Sequence, residues 1–116
     1  MTNQHFLIER NGTVPLEFDG QLLADVSSAE PDSPRWQEIR IYRSDQGRFI
    51  TEVLGCTRVR GERTIRNVEV FSRPEDVQRG VRRRKDGREF VTELGHEALR
   101  IAAEHEPLIY SGTEQV

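Results

Sequence analysis

The chain lacks most of the residues and patterns that carry chemistry. It has one cysteine, Cys56, in 116 residues. A single thiol excludes an intramolecular disulfide and suits a reducing compartment, so the expected location is cytoplasmic. The histidines number three and are scattered, whereas a zinc site needs three or four clustered ligands. His96 and His105 fall on one predicted helix but half a turn out of phase, so they cannot share a metal. No metal and no cofactor is therefore expected. None of the nine glycines builds a phosphate-binding loop, and the Gly-x-Ser-x-Gly elbow of hydrolases is missing. No apolar run approaches the ~18 residues of a membrane span. The first residues lack the charged and apolar regions of a secretory signal. The expectation is a protein that acts by binding, with no catalytic residues and no membrane partner.

Lysine is nearly absent as well: sixteen arginines stand against one lysine, Lys85. Genomic base composition accounts for such a bias. Selection for planar, bidentate contacts to phosphate or carboxylate also would. Apolar residues make up 34% and charged residues 32%, which predicts a thin core. The net charge of −3 hides three blocks. Residues 1–34 carry a net −5, residues 35–88 a net +7, and residues 89–116 a net −5. If these blocks stay separate in space, the protein suits an anionic partner or head-to-tail self-association.

The first two-thirds read as strands. His5–Ile8 is a short strand, and Asn11-Gly12 is a hairpin dipeptide. Val14–Phe18 returns as an edge strand, because Pro15 cannot donate a ladder hydrogen bond. Asp19-Gly20 reads as a second turn before Gln21–Val26. Trp36–Arg43 alternates without interruption and should be central, with Ile39 and Ile41 buried. Arg48–Leu54 and Thr64–Phe71 complete a three-strand meander. Ser72-Arg73-Pro74-Glu75 resembles a capping box and predicts a short helix ending near Arg84. Thr92 caps a second helix, Glu93–His105, with Leu94, Ala98, Ile101 and His105 on its apolar face. Leu108–Tyr110 reads as a last short strand. The expected fold is α+β: an antiparallel meander of about five to seven strands followed by two C-terminal helices. Residues 1–110 form one domain in this reading, and residues 111–116 a flexible tail.

Two groups of residues stand out as candidate contact sites. Arg79, Arg82, Arg83, Arg84, Lys85 and Arg88 place six cations in ten residues. They read as a solvated helix end, a phosphate-binding patch or a surface for an acidic protein. Trp36, Glu38, Arg40 and Tyr42 share one strand face. With Phe49 and Phe71 added, that face would stack bases or anchor a protein partner. Alternatively, the C-terminal helix or the N-terminal strands cover it. His105 reads as a partly buried histidine, and Cys56 as a small buried hydrophobe. The functional expectation is a small non-enzymatic protein-interaction or regulatory module, possibly self-associating. The alternative is nucleic-acid binding through the Arg79–Arg88 segment and the aromatic face.

Overall fold

A computed structural model describes residues 3–110. The expected tail, residues 111–116, lies outside the described residues. Five strands form one antiparallel sheet in chain order: β1 (Gln4–Arg10), β2 (Thr13–Ser27), β3 (Arg35–Ser44), β4 (Phe49–Thr57) and β5 (Ile65–Phe71). A 3-10 helix, Pro74–Val81, leads into a separate two-stranded ribbon of β6 (Arg82–Lys85) and β7 (Arg88–Val91). Helix α1 spans Glu93–Ala103, and a short 3-10 turn, Pro107–Ile109, follows. The architecture is α+β, with seven strands in two sheets and the helical elements mostly after the meander.

The expected turn at Asp19-Gly20 is instead the bend of a single 15-residue strand, β2. Thr13–Gly20 pairs with β1, and Gly20–Ser27 pairs with β3. Gly20 therefore pairs with Gln4 on one side and Ser44 on the other. A Cβ there would stand 2.8 Å from the Ser44 Cα and nearer still to the Arg43 carbonyl. Only glycine allows that approach. Beyond Gly20 the β1–β2 hairpin outruns β3 and curls over one face of the sheet toward β5. Arg66 there lies 3.5 Å from Glu9. Pro15 falls in the half of β2 that pairs on one side only, as an edge proline should.

Each face of the sheet carries its own apolar cluster. On one face Leu23, Val26, Ile39, Ile41 and Phe49 meet Val77, Val81, Ala98, Leu99 and Ile109 from the helical segments. On the other, Ile8, Tyr42 and Ile50 pack with Phe6, Phe18 and Val68 under the curled hairpin. Strand β3 is central, and Ile39 and Ile41 are 1% and 0% exposed, as its alternation predicts.

The helical segment departs from expectation in four places. The basic run is not a helix end: the 3-10 helix stops at Val81, and Arg82–Lys85 is extended. The Ser72 capping box is not made, because the helix begins after Arg73 without a side-chain cap. The buried face of α1 is Gly95, Ala98, Leu99 and Ala102, with Leu94 and Ile101 only half-buried. Small residues let α1 come close, and a Cβ at Gly95 would stand 2.8 Å from Val91 Cγ1. His105 is consequently exposed rather than on the apolar face. The expected strand at Leu108–Tyr110 is the 3-10 turn that buries Ile109.

Candidate functional site

The ribbon turns at Asp86-Gly87, where both residues have positive φ, 55° and 78°. That is the demand of a type I′ hairpin, and Asp-Gly meets it at low cost. Arg82 pairs with Val91, Arg83 with Phe90, Arg84 with Glu89 and Lys85 with Arg88. Alternation then sorts the cations by face. Arg82 and Arg84 share a face with Glu89, which lies 3.5 Å and 3.2 Å from them. Arg79 is paired with Asp76 at 2.7 Å. Arg83, Lys85 and Arg88 share the opposite face with Phe90, and none of the three has an ion-pair partner among the described residues. Every residue from Arg82 to Phe90 is exposed, and Phe90 is 42% so. Half-buried Val91, packed against the main core, anchors the ribbon's base.

Arg79, Arg82, Arg83 and Arg84 line one small hollow with Glu89. Arg79 is matched by Asp76, Arg82 and Arg84 share the single charge of Glu89, and Arg83, Lys85 and Arg88, on the face that carries Phe90, have no ion-pair partner among the described residues. Phe90 and Glu89 decide this division. The signal for both was present in Asp86-Gly87 flanked by Arg-Arg-Arg-Lys and Arg-Glu-Phe-Val, a hairpin pattern that the helical reading overrode.

The second candidate face is already occupied. Phe49 and Phe71 do not join Trp36, because they pair with each other and Phe49 pairs with Arg43, on the helix-bearing face. The aromatic partners of Tyr42 are Phe6 and Phe18, with ring centroids 4.8 Å and 5.5 Å away. The Trp36 indole donates to Glu38 at 2.8 Å, and Arg58 stacks on its ring at 4.5 Å. Arg40 donates to Glu38 at 2.8 Å and to Asp25 at 3.2 Å, and lies 3.5 Å from Glu52. Burial works against the charge on Arg40, but Asp25 and Glu52 outweigh it and raise its pKa. Cys56 is half-buried nearby, its thiol pushed up by burial and then by Glu38. A thiol held in its protonated form is a poor nucleophile. Trp36, Arg40 and Tyr42 are therefore committed to internal contacts, on the face of the sheet away from the ribbon.

Two grooves flank these elements. One, about 300 Å³, runs between the ribbon's Arg82–Arg84 and the β4–β5 residues Gly55, Ile65 and Asn67. The other, about 380 Å³, follows β2 where the hairpin leaves the sheet. Leu16, Phe18, Ile50 and Val70 supply its apolar lining, and Glu17, Asp19, Asp45 and Arg48 its charges. His5 contacts Asp19 at 2.7 Å and Glu17 at 3.1 Å, and these carboxylates raise its pKa above the ordinary 6.5. Among the described residues no three His, Cys, Asp or Glu side chains gather into a metal-binding group. Among the same residues no helix is long and apolar enough to cross a membrane. His96 shares its Nδ1 with the Tyr110 hydroxyl at 3.0 Å.

Comparison with protein families, with curated proteins and with solved structures gave no match.

Proposed function

We propose that the protein is a non-enzymatic protein-interaction module that presents the Arg83, Lys85, Arg88 and Phe90 face of its ribbon to an acidic protein surface. One observation carries this reading: three cations with no ion-pair partner among the described residues share one face of an exposed hairpin with an exposed aromatic ring. Arginine and aromatic residues are favoured interface anchors, and an apolar ring among cations fits a partner that offers both carboxylates and apolar surface. The type I′ turn pre-orders the strands, which lowers the entropy lost on binding.

Nucleic-acid binding is the second reading. A two-stranded ribbon fits a DNA major groove, which favours it. Three free cations among the described residues are few for a duplex whose affinity comes mainly from phosphate contacts.

The test compares wild type with Arg83→Glu/Arg88→Glu for retention on immobilised poly-glutamate and on duplex DNA over a salt series. The protein reading expects poly-glutamate binding that the double variant loses, and little DNA retention at physiological salt. Tight DNA binding with a steep salt slope would replace it by the nucleic-acid reading. Retention on neither would remove both.

A further inference from the structure

We propose that the groove along β2 is the receptor for the ribbon of a second copy of this chain, so that the protein self-associates head to tail. The proposal rests on the ribbon being a protein-contact surface, and names its partner.

The first ground is an open strand edge. Between Thr13 and Phe18, β2 pairs with β1 alone, and no strand lies on its other side among the described residues; beyond this the Asp19 carbonyl accepts from the Asp45 amide at 2.8 Å. Such an edge offers unpaired backbone groups to an incoming extended segment. The second ground is the groove beside that edge, about 380 Å³ in volume. This falls within the range of about 300–1,000 Å³ typical of pockets that enclose a ligand. Its apolar lining includes Val70, which is 44% exposed.

The third ground is charge. Glu17, Asp19 and Asp45 outnumber Arg48 around the groove. His5 offsets part of the excess only when protonated. The ribbon offers the complement: extended strands with free outer edges, three unpaired cations and an exposed ring. Phe90 would enter the apolar lining while Arg83, Lys85 and Arg88 meet the carboxylates.

The contact must be between chains. The ribbon's base packs with the helices on one face of the sheet, and the groove opens beside the hairpin that curls over the other. A ribbon-to-groove contact closes as a two-fold dimer if two copies engage reciprocally, and otherwise propagates into a ring or a chain.

The experiment is sedimentation velocity on the full chain over a wide concentration range. It uses wild type, a ribbon variant (Arg83→Glu/Arg88→Glu) and a groove variant (Val70→Arg). Val70 is exposed, so its replacement should leave the fold intact, which circular dichroism checks. Wild type is expected to self-associate with concentration, to a dimer or beyond, and each variant alone to remain a monomer. Mixed in equal amounts, the two variants are expected to form a one-to-one heterodimer, because one retains the groove and the other the ribbon. A monomeric wild type overturns the proposal, and poly-glutamate retention then decides separately whether the ribbon still binds acidic surfaces. Self-association that persists in the groove variant, or no heterodimer on mixing, overturns the groove as receptor. Growth that persists in the ribbon variant overturns the ribbon's part in assembly.

Discussion

Tyr42 donates its hydroxyl to Glu52 Oε1 at 2.7 Å, and both side chains are buried, at 5% and 7% exposure. Arg40 lies 3.5 Å from the same oxygen. Burial, and then the hydrogen bond to Glu52, push the phenol well above its usual range. The pair joins two adjacent strands inside the curled sheet, where an unmet carboxylate would be costly. Removing the hydroxyl by Tyr42→Phe should destabilise the protein by about 1–3 kcal/mol. Urea unfolding checks this. A double cycle with Glu52→Ala, which removes the acceptor, should show coupling between the sites, and strict additivity would contradict the pairing.

Gly80 should not tolerate a side chain. A Cβ there would lie 2.7 Å from both Cβ and Cγ2 of Thr51, which is fully buried on β4. Gly80→Ala is therefore expected to cost about 1–3 kcal/mol through overpacking. Thr51→Ala removes two of the three crowding atoms, so the double variant should lose less than the sum of the singles. Thermal unfolding of the four proteins measures this. A neutral Gly80→Ala would show that the 3-10 helix does not lie so close to the sheet.

The hairpin should respond to pH through His5. Hydrogen bonds that its ring donates to Asp19 and then Glu17 raise its pKa above 6.5, the value expected in the unfolded chain. A raised folded pKa adds stability that is complete below pH 6.5 and is lost as pH rises through the folded value. His5→Gln should flatten that dependence. An NMR titration placing His5 at or below 6.5 would contradict the contacts.

Glu89 should restrain the ribbon. Its single charge is shared between Arg82 and Arg84 on the face opposite Phe90. Glu89→Gln frees both guanidinium groups. Exposed pairs are worth about 0.2–1 kcal/mol each, so poly-glutamate should bind roughly two- to thirtyfold more tightly if both then reach it. Salt dependence should steepen as well. Unchanged retention would mean that Arg82 and Arg84 lie outside the contact.

What the sequence determined by itself is the part governed by local rules. Asn11-Gly12 required a tight turn, and Gly12 has φ 72°. Unbroken alternation over Trp36–Arg43 made β3 a strand and buried Ile39 and Ile41. Thr92 capped α1 by accepting from the Gly95 amide at 3.0 Å. The presence of strands before helices gave the fold class. Tertiary structure decided everything that depends on which residues meet. Asp19-Gly20 has the composition of a turn, but pairing on both sides of Gly20 keeps the strand continuous and bends it. Arg82–Lys85 carries no helix-breaking residue, yet pairing with β7 holds it extended and divides its cations between two faces. Alternation puts Trp36, Arg40 and Tyr42 together but does not say what covers them. Glu38, on the same strand, engages Trp36 and Arg40, but the other carboxylates and rings that engage Arg40 and Tyr42 come from β2, β4 and the distant β1, at separations where local propensity carries no information.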